Sequence, residues 1–216
     1  MVAVPPARRK FRREGEERRR QDLIAATLDC VAEHGIEGAT LRAIALRAGV
    51  TAGLIRHYFP GKEDLLQAAY ATIVERMTEQ ALASLHETER SPAARLAAFV
   101  AANLTPPIVD ARVFSLWAGF IGRAHADPAL SAVHRDGYIG FRDQLEHLVA
   151  ETLAATGRSA GAGQLRRHAI AVNAIIDGLW IEGCMAGDLF ETGELAAIGI
   201  ASVERILGIG IEGGSA

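Results

Sequence analysis

At 216 residues, half of them apolar, the chain has material for one large domain or two modest ones with a real core. Its net charge of −3 argues weakly against nucleic acid along the whole surface. Two distant cysteines, Cys30 and Cys184, lack metal-ligand spacing, which speaks against a zinc site or disulfide scaffold and for buried thiols in a reducing compartment.

The first residues are basic and carry no apolar signal region, and no uninterrupted apolar run approaches the ~20 residues a bilayer span needs. The expectation is a cytoplasmic protein without a membrane partner. The net charge hides an asymmetry. Residues 1–62 hold twelve Lys/Arg against seven Asp/Glu, a balance of +5, while residues 63–216 hold eleven against nineteen, a balance of −8. A basic head on an acidic body puts any phosphate contact on the head. Residues 1–15 read as a disordered basic arm, which can still add salt-dependent, nonspecific DNA affinity.

Helical periodicity begins at about residue 16 and places Leu23, Ala26, Thr27, Cys30 and Val31 on one face. Gly35 reads as its stop. Residues 40–59 then read as two short helices joined at Ala48-Gly49-Val50. Thr40 and Thr51 suit the two N-caps, and Gly49 supplies the freedom a sharp turn needs. With Ile44, Ala45, Leu54 and Ile55 inward, Ala52, Gly53, Arg56, His57 and Tyr58 face outward. That is a surface suited to a DNA major groove. Arg42 or Arg56 can reach a guanine edge or a phosphate. Thr40, Thr51, His57, Tyr58 and Lys62 suit phosphates, and Ala52 and Gly53 permit close approach. His57 and Tyr58 can instead pack between helices, Phe59 reads as core and Arg47 as a solvated charge.

Beyond the Pro60-Gly61 break the reading stays helical, with no strand alternation. Helices are expected over about 62–86, from Ser91-Pro92 to a break at Thr105-Pro106-Pro107, over 110–125, 127–155, 164–185 and 192–207, with a disordered tail at 209–216. The domains then divide as a helix-turn-helix unit at 16–66 and a helical body at 67–208. The helix 164–185 is apolar on most of its circumference, so it must be buried on all sides. The same helix of a second subunit is its natural partner, with Ile175, Leu179, Ile198, Val203 and Ile206 in a homodimer interface.

Leu23-Ile24-Ala25-Ala26-Thr27-Leu28, Glu33-His34-Gly35, the 40–59 unit and Lys62-Glu63-Asp64-Leu65-Leu66 together resemble the TetR family of bacterial transcriptional regulators. The resemblance implies an all-α fold, with a three-helix DNA-binding head and a helical ligand-binding and dimerisation body. It also implies a repressor, not an enzyme, on a palindromic double-stranded operator. Phe114-Ser115-Leu116-Trp117, Asp127-Pro128-Ala129-Leu130 and Ile176-Asp177-Gly178-Leu179-Trp180 resemble choline-responsive repressors of the glycine-betaine pathway. A cationic effector would be held by aromatic faces and a carboxylate. The candidates are Phe114, Trp117, Ile121, Tyr138, Phe141, Asp177 and Trp180, although an aromatic stripe at helical spacing is more often a core than a cage. An apolar drug, an acyl compound or a nucleobase is the alternative effector, and a helical enzyme the remote alternative. No catalytic constellation, cofactor motif or metal spacing is apparent, so no cofactor or metal is expected.

Overall fold

The computed structural model describes the backbone of residues 6–85 and 91–211, and the side chains of residues 15–85 and 91–211. The described residues form nine α-helices and no strand. They are α1 (Pro6–Gly38), α2 (Leu41–Arg47), α3 (Ala52–Tyr58), α4 (Lys62–Ala83), α5 (Pro92–Asn103), α6 (Ala111–Ala124), α7 (Pro128–Ala155), α8 (Ala162–Ala186) and α9 (Glu194–Leu207). A 3-10 turn, Gly187–Leu189, follows α8. Of the expected flexible ends, residues 1–5 and 212–216 lie outside the described residues, and the backbone from Pro6 opens α1. The expected end of α4 near His86 also lies outside them.

Packing groups the chain into two compact units, residues 1–73 with 115–133 and residues 74–114 with 134–216. The points of division fall inside α4, α6 and α7.

In the first unit the short helices obey their local signals. Thr40 Oγ1 accepts from Ala43 N at 3.2 Å and Thr51 Oγ1 from Leu54 N at 3.2 Å, each satisfying a helix-start amide. Gly49 takes φ +64°, and Val50 N donates to Ala45 O at 2.9 Å, which closes the turn between α2 and α3. Backbone geometry leaves the helix at Gly35 (φ 69°) within α1. The core gathers Leu23, Ile24, Ile44, Ile55, Phe59 and Leu65, all buried. Leu54, expected inward, is only half-buried. Tyr70 is fully buried and stacks on Phe120 at 4.9 Å. Burial pushes its phenol up to about 12.

In the second unit α5, α8 and α9 pack on one another. Glycines set how closely they approach. A methyl group added at Gly199 of α9 would stand 2.4 Å from Leu104 Cδ1 and 3.1 Å from Val100 Cγ1. Gly199→Ala is therefore expected to cost about 1–3 kcal/mol through overpacking. A thermal melt several degrees lower is the expected readout. An unchanged melt would show that both neighbours yield freely. Cys30 and Cys184 are both buried and unbridged, as expected.

Candidate nucleic-acid interface and effector site

The outward residues of the helix-turn-helix stand on a rigid base. Ile44, Ala45 and Ile55 are buried beneath them, while Arg42, Thr51, Gly53, Arg56 and His57 are exposed. Ala52 and Tyr58 are half-buried, and the His57 and Tyr58 rings meet edge to face at 5.2 Å. Among the described residues no carboxylate pairs with Arg42 or Arg56. Arg47 behaves otherwise, because Glu33 hydrogen-bonds its guanidinium and Asp29 lies 3.7 Å away. The expectation of a freely solvated Arg47 gives way to a tie between α2 and α1.

Thr40 and Thr51 use an oxygen lone pair in capping, which leaves each hydroxyl hydrogen available to a phosphate. Lys62 is half-buried, and its Nζ donates to Ile36 O at 2.9 Å and Glu37 O at 3.4 Å. Its charge thus holds carbonyls near the end of α1. Arg123 of α6 hydrogen-bonds Glu37 at the same end. Phe59 is buried, as expected, and lies under the Arg20 guanidinium at 5.1 Å.

In the second unit one face of α8 carries Asn173, Asp177 and Trp180, spaced four and three residues apart. Trp180 is buried, donates its indole N–H to Ile108 O at 2.9 Å, and meets Phe114 edge to face at 5.5 Å. Asn173, 1 % exposed, donates through Nδ2 to Tyr138 Oη at 3.1 Å and to Asp177 Oδ2 at 2.7 Å. Its Oδ1 is buried without a hydrogen-bond partner. A buried acceptor left so costs about 1–3 kcal/mol. Desolvation pushes the Asp177 carboxyl up to about 6, against the lowering effect of the Asn173 hydrogen bond. Asp177 is nevertheless exposed, so its carboxyl stands at the surface of the single chain beside the buried Asn173. Tyr138 stacks on His134 at 5.9 Å, and desolvation lowers the His134 pKa.

The structure thus joins Phe114 to Trp180, and Tyr138 to Asp177 through Asn173. Phe141, half-buried, turns onto the fully buried Phe99 at 5.2 Å. Trp117 and Ile121 are half-buried and belong to the first unit's stretch of α6. Asn173 and His134 did not stand out in the sequence. The available signal for Asn173 was an Asn and an Asp four apart in an apolar helix. Among the described residues no His/Cys/Asp/Glu cluster is arranged to hold a metal.

The proposed interface residues divide. Val203 has no exposed surface and packs α9 onto its own chain. Leu179 Cδ1 lies 3.5 Å from where a Gly199 side chain would start, so it too packs α8 against α9. Ile175 and Ile206 are half-buried and Ile198 is exposed. Beside Ile198, the apolar side chains open on this part of the chain are Ile170, Ile181 and Met185 of α8, with Leu189 beyond its end. The stretch Ala162–Leu189 is also long and apolar enough, by length and composition, to cross a membrane, which reading uninterrupted apolar runs passed over. It carries Asp177 and Glu182 and packs against α5 and α9.

Two family models match the chain. Residues 23–69 match the N-terminal region of bacterial regulatory proteins of the tetR family, and residues 92–208 match the BetI-type transcriptional repressor C-terminal domain. The HTH-type transcriptional regulator BetI of Burkholderia lata is 34% identical over 174 residues, covering 81% of this chain and 86% of that protein. A transcriptional regulator from Pseudomonas aeruginosa PAO1 has a similar structure, with TM-score 0.82 and 29% identity over 89% of this chain and 91% of that one. A regulator from Saccharomonospora viridis, solved in complex with choline, shares the fold with TM-score 0.71 at 20% identity, over 86% of this chain and 95% of that one.

Proposed function

The chain belongs to the TetR family of bacterial regulatory proteins and carries a BetI-type repressor C-terminal domain, and from this premise we propose that it works as a homodimer on a palindromic operator and is released by a small choline-like cation. It is a DNA-binding transcriptional repressor and not an enzyme. Regulators of this family bind DNA and small-molecule effectors. Acting on DNA, it works in the cytoplasm.

One observation carries the cation reading. Asp177 is linked through the Asn173 amide to the Tyr138 hydroxyl, with Trp180 one turn further along α8. A carboxylate with aromatic residues nearby attracts an ammonium group. An acyl chain would gain nothing from it. The choline complex of the Saccharomonospora viridis regulator supports the same ligand class. Calorimetric titration with choline, with glycine betaine as control, tests the reading. Micromolar to millimolar choline binding is expected, and absence of heat with choline would discard the cation while keeping the repressor.

Dimerisation is supported by the open side chains Ile170, Ile181 and Met185 on α8, a face that Asp177 shares, with Ile198 on α9. A two-fold axis would pair these faces and set two recognition helices on half-sites about 34–36 Å apart or a multiple of that. The switch runs through α4, whose first residue, Lys62, grips the end of α1, and through α6, whose Arg123 grips Glu37. Effector binding in the body shifts these helices and with them the spacing of the heads. Its leverage equals its difference in affinity for the two states.

Acidity should modulate the effector. With the Asp177 pKa near 6, choline affinity is expected to fall about tenfold between pH 7.5 and pH 5 as the carboxylate takes up a proton. Asp177→Asn should bind weakly and without this slope. His134, the neighbouring titratable group, is present in both proteins, so the comparison isolates Asp177. Linkage to folding has the opposite sense. The folded protein holds the proton more tightly between pH 3.8 and about 6, so this group's contribution to stability declines as pH rises through that window. Equal pH slopes in the two proteins would remove Asp177 from the site.

A further inference from the structure

Asn173 is the one buried polar side chain among the described residues with an atom lacking a hydrogen-bond partner. Its orientation is fixed. Nδ2 serves both Tyr138 and Asp177, and turning the amide over would set Oδ1 against the Asp177 carboxylate. Oδ1 must therefore remain an acceptor directed away from both partners. At 1 % exposure it also lies beyond reach of a second copy of the chain docking on the surface. What completes it is a small molecule or a water held within the protein.

We propose that Asn173 is a specificity-determining residue of the effector site, its Oδ1 accepting a hydrogen bond from the effector, which is thereby an ammonium compound carrying its own hydroxyl or amine donor. This inference rests on the cationic-effector reading and sharpens it. The ammonium end answers the Asp177 carboxylate and the Tyr138 ring, and the donor end answers Asn173. A compound with a carboxylate in place of the hydroxyl brings no donor to Oδ1 and sets a second negative charge near Asp177. A site built on a hydrogen bond rejects the ligand lacking it, because the protein's own polar group is then left unpaired. Selection is thus for amino alcohols over both plain alkylammonium ions and ammonium carboxylates.

The test is calorimetric titration of the full-length protein at pH 7.5 with choline, ethyltrimethylammonium and (2-methoxyethyl)trimethylammonium. The last two keep the cation and lack the donor. The wild-type protein is expected to prefer choline by about tenfold over each. In Asn173→Leu, of similar volume, the three ligands should bind within about twofold of one another. Equal wild-type affinities would overturn the inference and leave the cation reading standing, with a water as the partner of Oδ1. A tenfold preference persisting in Asn173→Leu would also overturn it, by giving the donor another acceptor. Binding of none of the three to the wild type would overturn the cation reading and this inference together. Should Asn173→Leu fail to fold, Asn173→Ala carries the same three-ligand comparison, with the same outcomes.

Discussion

Arg42→Ala is expected to weaken operator binding by between roughly 30-fold and 25,000-fold while leaving the fold intact. Arg42 is exposed on α2, and no carboxylate competes for its guanidinium among the described residues. A bidentate contact to a guanine edge is worth about 1–3 kcal/mol. A dimer makes the contact twice, which doubles the free energy and squares the ratio. The scaffold does not depend on Arg42, because the Thr40 cap and buried Ile44 and Ala45 hold α2 in place. Arg47→Ala is the instructive contrast. That guanidinium is committed to Glu33 and Asp29, so its loss loosens α1 against α2 and leaves base readout to others. Fluorescence anisotropy with a labelled operator, at two salt concentrations, separates the cases. A base contact shows as lost sequence preference, and a phosphate contact as a shallower salt slope. Unchanged affinity of Arg42→Ala would remove this residue from the interface.

The second large effect concerns the dimer. Ile181→Glu is expected to convert the protein from dimer to monomer at micromolar concentration and to abolish selective operator binding. Ile181 lies one turn before Met185 on the open stripe that starts at Ile170, and Met185 is 70 % exposed in the single chain. In a two-fold interface each substitution appears twice, and two buried, unpaired carboxylates face one apolar seam. At about 2 kcal/mol or more each, dissociation would strengthen by about three orders of magnitude. Sedimentation equilibrium reads this directly. A dimer persisting in Ile181→Glu with unaltered affinity would place the seam elsewhere.

The head was readable because its determinants are local. Thr40, Thr51 and Gly49 act within three residues of their own positions, so caps and turn follow from the sequence alone. Lys62 was placed correctly in chain order but given to phosphate, since nothing in the sequence reveals that the end of α1 returns to within hydrogen-bond reach of it. The body was readable as helices and much less so as surfaces. Apolar periodicity says that α8 and α9 are buried, and it cannot say whether their own chain or a second copy covers a given residue. Val203 thus proves to be core, while Ile198, with Ile170, Ile181 and Met185 of the same apolar helix pair, is open. The same limit separates Phe141, which packs on Phe99, from Tyr138, which reaches Asn173. Asn173 itself escaped notice because its unpartnered oxygen exists only once α7 and α8 are brought together.

The claim at the centre of this account is that a choline-like cation and the operator compete for two states of one dimer. Its most direct test is a titration of choline into the complex of the full-length protein with a labelled operator duplex selected from genomic fragments, at pH 7.5. Progressive release with choline and none with glycine betaine is the predicted result. An operator complex that stays intact while calorimetry shows the protein saturated with choline would contradict it.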